Sequence, residues 1–190
     1  MIVAVAALWT ELLFVRGLPR VRTGIGPGTR ERLARALERL RPNGAVILGF
    51  CGATHARLTP RTLILATSVR HGDDEVRLSG ELVDAARKRL PNVEAGPLAT
   101  VDGIVDSAEK ARLSLEALAV DMESYHLAAE LSRRELPFLV VRCVLDPLWE
   151  DISNRPRFAF ARRALSCARR LGGAARTLAP TLAEVRRWAT

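Results

Sequence analysis

The sequence predicts an α/β fold, a three-layer α/β/α arrangement with a mixed central sheet, from three observations. Short apolar runs alternate with amphipathic segments along the chain, the pattern of a sheet covered by helices on both faces. The 190 residues are 48% apolar, enough for one sizeable core and too few for two, so a single domain over 1–190 is expected. No internal repeat, low-complexity stretch or long linker interrupts the alternation.

Ile2 to Ala7 reads as the first strand. The apolar opening from Ile2 to Leu8 has no basic residue before it and is followed by Glu11, which suits a buried strand better than a signal peptide. Ala45 to Phe50, Thr62 to Val69, Val93 to Thr100 and Phe138 to Val144 read as further strands. Between them, Thr29 to Leu40 places Leu33, Ala36, Leu37 and Leu40 on one helical face. Ser79 and Ser107 are N-cap candidates for the next two helices, and Glu123 to Arg134 is a fourth. The C-terminal segment reads as a helix from about Pro156 to Gly172, a break at Gly172-Gly173, and a further helical piece ending near Trp188. Phe158, Ala161, Leu165 and Ala168 form its expected apolar face. Arg155, Arg162, Arg169 and Arg176 fall seven apart and line nearly one face across the break. A solvated outer face is the principal reading of that stripe, with a weak contact to an anionic membrane surface beside it.

Composition narrows the partners. A net charge of +8 points toward nucleic acid or anionic surfaces. Arginine, however, outnumbers lysine 27 to 2, which a codon bias explains without any selected surface. Only nine residues are aromatic, so the stacking platforms of single-strand binders are mostly missing and no nucleic-acid partner is expected. The three cysteines, Cys51, Cys143 and Cys167, form no CxxC pair, so neither a disulfide framework nor a zinc knuckle is suggested, and a reducing cytoplasm fits. No stretch approaches the roughly 20 apolar residues that span a bilayer. The three histidines, His55, His71 and His126, lie far apart in sequence with no chelating spacing, so no metal is expected. His126, one turn after Met122, reads as a partly buried helix residue or a site-lining one. No serine sits in a G-x-S-x-G elbow, which removes Ser-His-Asp catalysis.

Two glycine clusters stand out. Gly24-Ile25-Gly26-Pro27-Gly28 precedes a helix, but Thr29 occupies the third glycine position of G-x-G-x-x-G, so a tight turn close to another segment is the better reading. Gly49-Phe50-Cys51-Gly52-Ala53 ends an apolar strand, where small residues let a ligand approach the backbone. The most informative stretch is Val120-Asp121-Met122-Glu123-Ser124, followed by Leu136-Pro137-Phe138-Leu139-Val140-Val141-Arg142-Cys143-Val144-Leu145-Asp146. An acidic-Met-Glu triplet at a strand-to-helix junction, then a helix, then a "PF-V-V-R" strand ending in Asp, resembles the nucleoside phosphorylase and methylthioadenosine/S-adenosylhomocysteine nucleosidase superfamily. The opening strand leading to Leu8-Trp9-Thr10-Glu11, the "TGIG" at Thr23 to Gly26, and the strand end at Gly49 to Ala53 agree in order, so the resemblance covers nearly the whole chain.

The resemblance implies a nucleoside phosphorylase-like fold and an enzyme that cleaves the N-glycosidic bond of a purine, adenine-type nucleoside. It assigns Glu123 to the ribose 2′- and 3′-hydroxyls and Met122 to the apolar side of the sugar. An ionised carboxylate accepts from both hydroxyls of a diol, and its charge lies near the ribosyl cation that develops in the reaction. A helix-start glutamate favoured by the dipole is the structural reading of the same residue. Asp146 is assigned to protonation of the leaving base, with a strand-ending turn residue before Pro147 as the alternative. Glu11 matches the glutamate that activates water in the nucleosidase branch, which tilts the expectation toward hydrolysis. Gly52 and Cys51 are expected at the substrate. A phosphate-dependent phosphorylase, with phosphate as co-substrate on residues such as Arg16 and Arg70, and a non-catalytic nucleoside binder are the alternatives. No other cofactor is implied, and a homodimer or higher homo-oligomer is expected. The compact form with an N-terminal glutamate is also similar to the hopanoid-associated branch, whose members act on a lipid-linked adenosyl group. Leu145 stands where members commonly have serine and Ala53 where they commonly have glycine, and the segment from Val101 to Ala119, which supplies base-stacking contacts in relatives, is short.

Overall fold

The structure, a computed structural model, describes residues 1–26, 28–150 and 157–185. Arg155, Pro156 and Trp188 of the C-terminal reading lie outside the described residues, and the Phe158 side chain is likewise not described. In chain order the elements are β1 (Ile2–Ala6), α1 (Trp9–Leu12), β2 (Arg20–Arg22), α2 (Thr29–Leu40), β3 (Gly44–Ala53), β4 (Leu63–His71), β5 (Asp74–Arg77), α3 (Gly80–Arg89), β6 (Val93–Thr100), α4 (Ser107–Leu113), β7 (Ala119–Asp121), α5 (Ser124–Arg133), β8 (Phe138–Asp146) and α6 (Arg157–Val185). The expected α/β architecture with a mixed sheet is present. One eight-stranded sheet combines parallel pairs, such as β1 with β3 and β4 with β6, with antiparallel ones, such as β3 with β7 and β4 with β8.

The sheet also closes on itself. β8 runs parallel to β3 and antiparallel to β4, and β3 reaches β4 a second way through β7 and β6. Five strands therefore form a ring in which β8 has a partner on each edge. With α6 and α5 also packed against it, all nine residues of β8 are buried, and such a strand reads as a near-continuous apolar run. Arg142 and Asp146 break that run and so require partners inside the protein.

Local chemistry accounts for the helices. α2 keeps Thr29, Leu33 and Leu37 buried at a spacing of four, and the Thr29 hydroxyl donates to the carbonyls of Gly26 and Gly24 at 2.8 and 3.0 Å. Gly24, Gly26 and Gly28 all have positive φ, which confirms the turn reading of this cluster. Ser79 caps α3, accepting from the Leu82 amide at 3.5 Å. The cap of α4 is Asp106, not Ser107: its carboxylate accepts from the Glu109 amide at 2.8 Å and Ser107 is the first helical residue.

The C-terminal reading needs the largest correction. Gly172-Gly173 does not break the helix; α6 is continuous from Arg157 to Val185. A Cβ on Gly172 would strike the Phe14 carbonyl, so the glycine is there to let α6 approach the backbone after α1. The buried stripe is also shifted from the expected one. Cys167, Ala168, Leu171, Ala174, Ala175, Leu178 and Leu182 are buried, whereas Ala161 and Leu165 are exposed. Arg162, Arg169 and Arg176 are exposed, in line with a solvated face. Three short strands, β2, β5 and β7, carry too few residues for a periodic signal. No described helix is long and apolar enough to cross a membrane.

Candidate active site

β3, β7 and β8 end beside one another and open into a cavity of about 560 Å³, a size suited to a small ligand. All six residues singled out from sequence, Glu11, Cys51, Gly52, Met122, Glu123 and Asp146, line it. Most of the remaining wall is apolar, including Leu8, Phe50, Ile104, Leu145 and Phe160.

Beneath Glu11 and Glu123 lies Arg142, which is fully buried. Its Nε lies 2.7 Å from Asp121 Oδ2 and 2.9 Å from Ser124 Oγ, and Nη1 donates to the Leu48 carbonyl at 3.2 Å. Gly49 makes room for it, because a Cβ there would fall on the guanidinium. Asp121 is held in turn by the Thr100 hydroxyl at 2.8 Å and by the Ser124 amide at 3.2 Å. One buried cation thus faces three carboxylates, those of Asp121, Glu11 and Glu123. The excess of negative charge falls on the acids at the cavity. Burial, set against Arg142 and reinforced by Asp121 and Glu11, raises the Glu123 pKa from 4.5 to about 7.

Glu11 is 3% exposed and both of its oxygens are engaged. Oε1 accepts from the Phe50 amide at 2.9 Å and Oε2 from the Leu8 amide at 2.8 Å. Burial raises its pKa, while Arg142 and the two amides oppose the rise. Those bonds also hold the carboxylate rigidly at the cavity wall. Glu123 occupies the N-cap position of α5, yet its side chain makes no capping hydrogen bond. The carboxylate is therefore not spent on the helix end, which weighs against the purely structural reading.

Asp146 is placed by a bulge. Val144 pairs with Cys51 and Asp146 with Gly52, so Leu145 is the extra residue in the β3–β8 register. Asp146 Oδ2 is bound by the ammonium of Lys110, a side chain only 2% exposed, and Lys110 Nζ also donates to the Glu150 carbonyl at 3.1 Å. A Cβ on Gly52 would stand 2.8 Å from Asp146 Oδ2 and 3.0 Å from Lys110 Cε. Gly52 thus accommodates this ion pair, a role the strand-end pattern does not reveal. Burial pushes the Asp146 carboxyl up, opposed by Lys110 and by Arg163. Cys51 is a neutral wall, since burial pushes its thiol well above the ordinary value.

Three residues of this site escape a sequence reading of roles. Arg142 and Asp121 lie inside the informative motif, and a lone arginine in an apolar strand is itself a signal that buried acids must surround it. Lys110 carries no such signal. It comes from α4, within the short segment between Val101 and Ala119, where Val101, Gly103, Ile104 and Val105 also line the cavity.

Two of the three histidines meet in space. His71 at the end of β4 and His126 in α5 have ring centroids 5.0 Å apart, and His71 Nε2 lies 3.0 Å from Asp102 Oδ1. Sequence spacing missed this cluster because its members lie on separate elements. His126 is half-buried against His71 and is not among the cavity-lining residues.

The chain matches the phosphorylase superfamily over residues 20–178. It is similar in fold to the Streptococcus pneumoniae 5′-methylthioadenosine/S-adenosylhomocysteine nucleosidase held with a transition-state inhibitor, with TM-score 0.80, 19% identity, and coverage of 93% of this chain and 97% of that one. A mutant of the Helicobacter pylori nucleosidase with 5′-methylthioadenosine in its active site aligns with TM-score 0.83 at 17% identity, covering 94% of this chain and 97% of that one. A Helicobacter pylori futalosine hydrolase mutant aligns with TM-score 0.81 at 16% identity over 94% of this chain and 98% of that one. No curated protein matches the chain.

Proposed function

Because the chain belongs to the phosphorylase superfamily, we propose that it is a nucleosidase that hydrolyses the N-glycosidic bond of a purine, adenine-type nucleoside. The observation that carries this reading is the gathering of Glu11, Glu123 and Asp146, three buried carboxylates in different surroundings, on one largely apolar cavity. In this reading Glu11, fixed by two amides, takes a proton from water as the water oxygen bonds to C1′. Glu123 accepts from the 2′- and 3′-hydroxyls and places negative charge beside the ribosyl cation, while Met122 packs on the sugar. As the bond from C1′ to the base breaks, its electron pair leaves with the purine, and Asp146 supplies the proton that neutralises it. Lys110, bound to Asp146, stands ready to restore that proton.

Hydrolysis is favoured over phosphorolysis because Lys110 is the one cation among the described residues lining the cavity, and it is already paired with Asp146. Neither Arg16 nor Arg70 is among them. We include a homodimer or higher homo-oligomer in this proposal, since Leu13, Ile104 and Leu165 leave exposed apolar surface on the cavity's rim. The test is base release from adenosine, methylthioadenosine, S-adenosylhomocysteine and inosine, with and without phosphate. Release of adenine without phosphate, abolished by Glu11→Gln, is expected. Strictly phosphate-dependent turnover yielding ribose 1-phosphate would make the protein a phosphorylase, and ligand binding with no base release would make it a binder.

A further inference from the structure

We propose that His71, Asp102 and His126 form a binding site for a divalent transition-metal cation of the zinc type, outside the cavity. Each residue comes from a different part of the fold: the end of β4, the loop after β6 and the first turn of α5. One imidazole nitrogen from each histidine and one carboxylate oxygen all lie within 4.8 Å of one another. Tetrahedral zinc with bonds of about 2.0–2.2 Å sets its ligands roughly 3.3 Å apart. Asp102, whose side chain is 88% exposed, has the freedom to close the difference.

Two imidazoles and a carboxylate are the donor set of a borderline cation, with solvent left to complete the shell. A hydrogen bond joins His71 to Asp102 at 3.0 Å, but it leaves His126 out. Among the described residues, the His126 ring nitrogens take no hydrogen bond; the ring packs edge-on to His71 and Tyr125. Asp74, near Tyr125, and Asp121 add negative charge in the neighbourhood, set against the cation of Arg30.

The site would act on the neighbouring cavity through the backbone. Asp102 sits between Val101 and Gly103, both of which line the cavity, and α5 follows directly on Glu123. A bound ion would tie this wall to β4 and α5. The inference stands apart from the proposed reaction, because its readout is metal binding.

The experiment titrates Zn²⁺ and Co²⁺ into the untagged full-length chain, after chelator treatment, by calorimetry and visible absorption. One saturable site is expected, with the intense visible bands of four-coordinate Co²⁺ and a metal-dependent rise in Tm. Asp102→Asn, a change at an exposed position that leaves folding intact, should weaken binding about tenfold or more. His126→Gln should remove the Co²⁺ bands, and His55→Gln should change neither. Absence of saturable binding, or binding undiminished in both Asp102→Asn and His126→Gln, overturns the proposal.

Discussion

At the scale of single residues the site contains two acids whose environments differ in kind. Asp146 faces one ammonium, so its charge is matched; Glu123 shares one guanidinium with two other carboxylates. If Asp146 is the acid that protonates the base, Asp146→Asn keeps size and a hydrogen bond but removes the transferable proton. Turnover of a nucleoside should then fall roughly 10²- to 10⁴-fold, about 3–5 kcal/mol of transition-state stabilisation. A nitrophenyl riboside, whose leaving group needs no proton, should be far less affected. Lys110 opposes the rise of the Asp146 pKa, so Lys110→Met should move the alkaline limb of kcat to higher pH; a limb that stays put would separate Lys110 from the proton transfer. Glu123 gives a second prediction. Its folded-state pKa of about 7 lies above the ordinary 4.5, so the folded protein holds this proton more tightly than the unfolded chain. The resulting stabilisation is full below the unfolded pKa and is lost as pH rises through about 7. At pH 8 the ionised Glu123 costs on the order of 1–3 kcal/mol. Glu123→Gln should therefore raise Tm at pH 8 and not at pH 4, while weakening nucleoside binding; thermal melts at the two pH values check the first and calorimetry the second.

At the scale of elements, a single carboxylate clamps two helices. Glu130 of α5 is 1% exposed and accepts from Arg133 and Arg134 of its own helical segment and from Arg30 of α2, at 2.7, 2.6 and 3.1 Å. Burial alone would raise its pKa, but these three arginines bring it down to about 2. Because that value lies below the unfolded one, the stabilisation is complete above the unfolded pKa and disappears as pH falls toward about 2. Glu130→Gln should lower stability at pH 7 by about 1–3 kcal/mol, with the exposed Arg30 and Arg133 free to return to water and Arg134 keeping Glu38. The same change should flatten the acid limb of Tm against pH, and an unchanged limb would show that the clamp contributes nothing. Gly172 acts at this scale too. A helical glycine is unfavourable by about 1 kcal/mol relative to alanine, and it is tolerated here because any side chain would strike the Phe14 carbonyl.

The whole molecule adds a closed ring of strands and a net charge of +8. The ring orders the site, since β3 and β8 meet at the bulge that aligns Gly52 with Asp146, and β7 enters antiparallel beside Gly52 to deliver Met122 and Glu123. The charge is spread over the outside. Arg162, Arg169 and Arg176 are exposed along α6, and Arg20, Arg22, Arg32, Arg35 and Arg39 border a second surface cleft with Trp9. Such a field predicts weak attraction to vesicles containing anionic lipid, lost at about 1 M salt, where the Debye length is roughly 3 Å. Co-sedimentation that persists at high salt would assign the attraction to apolar insertion instead.

Much of this was legible in the chain itself. The alternation of apolar runs and amphipathic segments determined the α/β class, and the Met122-Glu123 and Phe138-to-Asp146 stretches, with Glu11 and Gly52, determined which residues meet at the cavity. Periodicity suffices for the fold class because it records which face of each element avoids water; the site residues were legible through the family resemblance that their motifs carry. What only the tertiary structure decided was who partners whom across the chain. Lys110 finds Asp146, Arg142 finds Asp121, and His71 finds His126 and Asp102 through contacts between separate elements, which no local pattern encodes. The continuity of α6 belongs with these. Read locally, two adjacent glycines mark a break, yet burial of the stripe from Cys167 to Leu182 and the close approach to Phe14 outweigh the small helical penalty, so packing, not propensity, decided the element.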